Sequence, residues 1–267
     1  MFLGGHLSSI VLEELKSLRT HWQMWFLLGS QDIKLRYRRS TIGPFWLTIS
    51  TAVTIYSMGF LYSYLFRVNV HDYFPYLASG IISWTFIATL LQESSSVLVE
   101  SVTYIKNQSC YMSIFVMRLI LRNCIVFSHN ILVFIPIMLF FKLELNWHYF
   151  LMIPGLIILC INAFAWGGVI AIAGTRYRDF EQIVKSLIQI VFFVTPVMWL
   201  PSLLPEKYHW IIDYNPFTQY LTIIRNPMLG QTISLHALIS VGTLSLLGLG
   251  LFAVCMHKYK HRIVFWL

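Results

Sequence analysis

Gly43–Phe66, "GPFWLTISTAVTIYSMGFLYSYLF", runs for 24 residues without a charged side chain. A helix rises about 1.5 Å per residue, so about 20 mostly apolar residues cross a hydrocarbon core about 30 Å thick. The same pattern recurs over Tyr73–Leu91, Ile114–Phe141, Phe150–Gly174, Ile183–Leu200 and Ile233–Met256, which predicts six spans. A chain built this way has little left with which to face water. Charged residues make up 11% of it, against about 25% in an average soluble domain, and 57% of it is hydrophobic. The sequence therefore predicts an all-α polytopic membrane protein with six transmembrane helices.

An even number of spans puts both termini on one side, and the cations identify that side. Segments on the terminal side, with the adjoining span ends, carry 15 of the 19 Lys and Arg residues. The opposite side holds only Arg67, Lys142, Lys207 and Arg225. Cytoplasmic segments are the ones enriched in Lys and Arg, so both termini are expected in the cytoplasm. The net charge of +8 is accounted for by this bias, and no nucleic-acid partner is needed to explain it. Met1–Leu7 has neither a basic stretch nor a following cleavage site, so no signal peptide is expected. Cys110, Cys124, Cys160 and Cys255 show no metal spacing, and neither a metal site nor a disulfide framework is predicted.

Two regions depart from simple spans. In residues 1–42, a cytoplasmic N-terminal segment, Trp22, Phe26, Ile33 and Tyr37 fall on one helical stripe, with Gln31, Lys34 and Arg38 roughly opposite. This predicts an amphipathic helix lying in the membrane interface, its cations on anionic lipid headgroups. Residues 43–267 form the transmembrane domain. Within it Pro201–Gln231 is broken by Pro201, Pro205, Pro216 and Pro227, yet stays apolar and aromatic. No piece is long enough to span. Two short re-entrant helices on the outer side are expected, because broken backbone at membrane depth must be buried in protein or line a cavity.

Residues able to do covalent chemistry are sparse. The dipeptide Gly-Lys never occurs, so this chain has no phosphate-cradling P-loop of its own. No HExxH, paired carboxylates or clustered His and Cys appears, which argues against an integral membrane transferase. Glu93 lies at the cytoplasmic end of the second span and reads as a simple continuation of that helix. His129, Asn130 and Asn162 read as inter-helix hydrogen-bonding groups. No chain of carboxylates at mid-depth suggests a proton relay, so secondary transport is disfavoured. Aromatic residues are 16% of the chain. Tyr56, Phe60 and Tyr64 stand at i, i+4 and i+8 above Thr48 and Ala52. Ser186, Gln189, Phe193 and Pro196 share a face of the fifth span, with Trp199 near its outer end. Flat rings stack on the apolar faces of sugars, so Tyr56, Phe60, Tyr64, Gln189, Phe193 and Trp199 are candidate lining residues of a sugar conduit.

The segment "QDIKLRYRRSTIGPFW" resembles the stretch that leads into the first span of ABC-2 type polysaccharide-export permeases. The likeness continues through "VTYIKN", "GTRYRDFEQI", "TPVMWLPSLLP" and "YNPFTQYLTIIRNPMLG", so it covers residues 31–230. The resemblance implies a six-helix half-channel with an interfacial helix and two short outer gate helices, working as a homodimer in the bacterial inner membrane. It implies two copies of a separate ABC ATPase that bind ATP and Mg, with no cofactor in this chain. The implied cargo is an isoprenoid-diphosphate-linked polysaccharide, O-antigen foremost, with capsule, teichoic acid, a drug or a lipid as alternatives. Lys34, Arg36, Arg38 and Arg39 are then candidates for the diphosphate or lipid headgroups. Tyr104 and Lys106, with Arg176, Arg178 and Asp179, lie in the two cytoplasmic connections expected to meet the ATPase. Local pairing of Arg178 with Glu181 is the simpler account of that second connection.

Overall fold

A computed structural model describes residues 13–108 and 111–267 of the chain. Met1–Leu7, Ser109 and Cys110 lie outside the described residues. The described residues are mostly helical and contain no strand. After a helical stretch over 13–20 come α1 (Trp22–Arg36), α2 (Phe45–Leu65), α3 (Val70–Ser94), the short α4 (Val97–Glu100) and α5 (Val102–Gln108), and α6 (Met112–Phe140). There follow α7 (Met152–Arg176), α8 (Phe180–Val194), the single turn α9 (Trp210–Asp213), α10 (Pro216–Met228) and α11 (Leu235–Trp266).

Five of these helices are long and apolar enough to cross a membrane: α2, α3, α6, α7 and α11. The predicted fifth span, Ile183–Leu200, differs. Its helix α8 has 15 residues and ends at Val194. The cause is Pro196, whose ring excludes helical backbone from the residue before it. Thr195 is accordingly extended, with φ −88° and ψ 136°. At 1.5 Å per residue α8 is about 22 Å long, and the apolar run continues to Leu200 without helix.

The prolines that follow have the same effect. Where two short helices were expected in Pro201–Gln231, only α10 is a helix of several turns. The part before it is reduced to 3-10 turns at Pro201–Leu203 and Glu206–Tyr208 and to the single turn α9. α10 starts cleanly, with Pro216 in its first turn and the Asn215 side chain accepting from the Phe217 amide at 2.9 Å. Asn69 and Ser234 cap α3 and α11 in the same way.

α3 is the hub. Its residues from Tyr73 to Leu90 are almost all buried, and α2, α6, α7, α8 and α10 all pack on it. α7 approaches it closely where a Cβ on Gly174 would collide with the Ser95 carbonyl, so no larger residue fits that contact. α2 and α8 are peripheral: α2 buries only Ile55, Gly59 and Ser63, and α8 only Val184 and Ile188. Asn130 and Asn162 do join helices, accepting hydrogen bonds from Thr51 at 2.9 Å and Tyr220 at 2.8 Å.

Candidate functional site

At the end of the bundle where α1 meets α6, five charged side chains from three helices converge. Arg118 holds Asp32 bidentately, Nε to Oδ2 at 2.8 Å and Nη2 to Oδ1 at 2.6 Å. Arg122 lies 3.5 Å from Asp32 and donates to Glu93 at 3.0 Å, and Asn123 donates to the same Glu93 oxygen at 2.7 Å. Arg36 closes the chain 3.9 Å from Glu93. Three cations face two anions, and the Arg122 Nε has no partner among the described residues. Glu93 is therefore no mere helix continuation; it ties α3 to α1 and α6. Gly29 permits the approach, since a Cβ there would sit 3.0 Å from the Arg118 carbonyl and 3.1 Å from a Leu121 methyl.

This docking divides the predicted amphipathic stripe. Ile33 is buried against the bundle, whereas Trp22 and Phe26 point away and are half exposed. Of the four candidate headgroup cations, Arg36 turns toward Glu93. Lys34, Arg38 and Arg39 are exposed and make no ion pair among the described residues. The result is an exposed cationic patch at the edge of a net-positive network. Arginine forks in such a patch are suited to phosphate oxygens.

The aromatic stripe of α2 is largely uncovered. Tyr56 and Phe60 flank Phe74 with ring centroids 5.5 and 5.6 Å away, and both keep an exposed face. Tyr64 is 76% exposed. Thr48 does not extend this stripe toward an open face, because its hydroxyl donates to the His129 carbonyl on α6 at 3.1 Å. On α8, Ser186, Gln189 and Phe193 are exposed, but Pro196 is buried because the helix has already ended. Trp199 is half-buried and folds back, its indole N–H donating to the Phe193 carbonyl at 3.2 Å. The two stripes thus occupy separate helices that both pack on α3.

The two expected coupling connections are exposed. Tyr104 and Lys106 project from α5, and Arg176, Arg178 and Asp179 lie at the α7–α8 turn. The contact of Gly174 with Ser95 holds the beginnings of the two connections together. Arg178 does not pair with Glu181, which is taken by Lys185 at 2.5 Å. Arg178 and Asp179 make no ion pair among the described residues. Behind this surface the buried Glu14 accepts from the Ser113 amide at 3.2 Å and hydroxyl at 2.5 Å, capping α6, with Lys260 3.4 Å away. Sequence reading missed Asp32, Glu93, Arg118, Arg122 and Glu14 as a working set. One signal was present: Arg118 and Arg122, four apart on one face inside an apolar span, require acidic partners.

The family model for the ABC-2 type transporter matches residues 23–229, from the start of α1 to the end of α10. The chain belongs to this family. Similar curated proteins include an "O-antigen export system permease protein" from Klebsiella pneumoniae, 23% identical over 246 residues, covering 88% of this chain and 92% of the relative. A second from the same organism is 22% identical over 88% and 92% of the two chains. One of the same name from Myxococcus xanthus is 21% identical over 73% and 76%. The ABC-2 match spans the ion network, both aromatic stripes and both exposed connections.

Proposed function

We propose that this ABC-2 chain is the permease of an ATP-driven exporter of lipid-linked polysaccharide, with O-antigen the foremost cargo. The observation that carries the reading is the near full-length match to relatives that are themselves named O-antigen export permeases. Two copies assemble in the inner membrane with both termini in the cytoplasm. α8 and the non-helical run to Leu200 together make the sixth crossing, and α9 and α10 form the outer gate. Tyr56, Phe60 and Tyr64, with Gln189, Phe193 and Trp199, line the path. A sliding glycan needs a surface tolerant of many sugar units, and exposed rings with few strong hydrogen bonds provide one. The exposure of these rings in one copy supports that role, since a second copy can close over them.

The chain performs no covalent step. Lys34, Arg38 and Arg39 attract the diphosphate of the lipid carrier to the cytoplasmic leaflet, and Arg36 and the ion network hold α1 in place beside it. Two ATPase subunits bind ATP and Mg and press on α5 and the α7–α8 turn. Tyr104, Lys106, Arg176, Arg178 and Asp179 receive that motion. The fold transmits it because α1, α3, α6 and α7 are tied by close contacts and charge pairs near this surface.

The test is removal of the gene from its own host, followed by surface immunodetection of polysaccharide and analysis of the cytoplasmic lipid-linked pool. The reading expects surface loss with accumulation inside, restored by the intact chain. An unchanged surface glycan would overturn it. Loss of capsule or teichoic acid would keep the class and replace O-antigen as cargo.

A further inference from the structure

At the end of the bundle away from the ion network, α10 turns a polar face onto a cavity of about 730 Å³. This volume is in the range of small-ligand sites. In a chain that is 57% hydrophobic, its lining is unusually rich in hydrogen-bonding groups: Gln219, Thr222, Asn226, Gln231, Ser234 and His236. Thr218, Thr222 and Arg225 stand at i, i+4 and i+7, on one face of α10. Thr218 and Arg225 are 7% and 6% exposed. The Thr218 hydroxyl and the Arg225 Nε have no hydrogen-bond partner among the described residues.

Arg225 is buried without a carboxylate. Its Nη1 donates to the Tyr76 hydroxyl and the Pro196 carbonyl, both at 2.8 Å, and Nη2 donates to the Val197 carbonyl at 3.0 Å. The Tyr76 ring lies 4.1 Å from the guanidinium carbon. Space for the group is kept by Gly80, where a Cβ would collide with Nη2. These bonds satisfy carbonyls freed by the break after α8, but a neutral amide would do so without burying a full charge. They leave Nε and one hydrogen of Nη2, the same two donor atoms with which Arg118 grips Asp32. Asp213 also lines the cavity, but it is exposed and makes no ion pair with Arg225.

The geometry points to a resting site in this cavity for a sugar unit that bears one oxyanion. Arg225 and Thr218 both line the cavity, and their unpaired Nε and hydroxyl lie beneath its surface, so a small side-chain shift brings them to the anion, while the amide, hydroxyl and imidazole groups receive ring hydroxyls. The anion is a carboxylate of a sugar acid or a phosphate substituent. The inference rests on the export reading above and narrows its substrate class to acidic glycans. It also divides labour between the two ends of the path: the aromatic track carries no charge, and the acid is met only at α10.

The test is calorimetric titration of the full chain in lipid nanodiscs with three probes of the same ring: glucose, glucuronate and glucose 6-phosphate. At least one acidic probe should bind about tenfold or more tightly than glucose, the size expected of a charge-assisted hydrogen-bonded pair. Preference for glucuronate identifies a carboxylate, and preference for glucose 6-phosphate a phosphate. Arg225→Gln should abolish the preference for the acidic probe over glucose. Thr218→Val removes no hydrogen bond seen here and should weaken the acidic probe several-fold, so it decides the matter if Arg225→Gln fails to insert. Equal binding of all probes, or a preference that survives in both variants, would overturn the site. Titration needs neither ATPase nor export. Lost acid preference with intact surface export therefore refutes only the site, and lost export function with intact acid preference refutes only the exporter reading.

Discussion

Replacing Asp32 with Asn takes one negative charge from between Arg118 and Arg122 with almost no change of shape. The three side chains are 12–18% exposed, and the contacts are 2.6, 2.8 and 3.5 Å. An exposed ion pair contributes at most about 1 kcal/mol, whereas breaking one partner of a buried pair costs about 3–5 kcal/mol. This exposure lies near the buried limit, but asparagine keeps one acceptor and Glu93 still neutralises Arg122. The expected cost is therefore about 2 kcal/mol, taken from the docking of α1 on α6. Local opening should rise about 30-fold. Hydrogen exchange read by mass spectrometry in lipid nanodiscs should show that acceleration over residues 22–36, with α3 and α11 unchanged. Adding Arg118→Gln removes the orphaned cation and should recover about half of the loss. Exchange within about twofold of wild type in the single variant would refute the claim that Asp32 holds the helix.

Three further outcomes follow from the same arrangement. Asp179→Arg at the exposed α7–α8 turn should uncouple ATP hydrolysis from transport or block ATPase assembly; normal assembly with normal stimulated hydrolysis would reject that contact. Arg36, Arg38 and Arg39 changed together to Lys keep the charge but lose the guanidinium fork, so membrane anchoring should survive while export falls; full export would assign these residues to lipid anchoring alone. Single cysteines at 56, 60 and 64, in a background without native cysteines, should react faster with a membrane-impermeant thiol reagent when ATP is supplied, and unchanged labelling at all three would sink the track.

The parts of this fold legible in the sequence were those set by local composition. Apolar length located α2, α3, α6, α7 and α11, and the prolines of Pro201–Gln231 announced broken structure. Pro196 also carried the end of α8, but apolar residues continue to Leu200, and hydropathy alone cannot distinguish a helix from a run of turns. Pairings across the fold were hidden. Asp32 and Arg118 are 86 positions apart, and only the packing of α1 on α6 brings them together. Thr48 looked like part of a polar and aromatic line because its hydroxyl has no visible acceptor in the sequence; the acceptor is a backbone carbonyl, which every residue offers. Arg225 counted only as one of four outer cations until burial without a carboxylate set it apart.

The central claim is ATP-driven movement of a lipid-linked glycan through this chain. Its most direct test is reconstitution with the partner ATPase in liposomes, with the ATPase facing outward and an isoprenoid-diphosphate-linked oligosaccharide in the outer leaflet. The account predicts that ATP moves the glycan out of reach of an added glycosidase, and that a Tyr56→Ala, Phe60→Ala, Tyr64→Ala triple variant inserts normally but protects far less of it. A glycan that stays fully cleavable while ATP is hydrolysed would contradict the account.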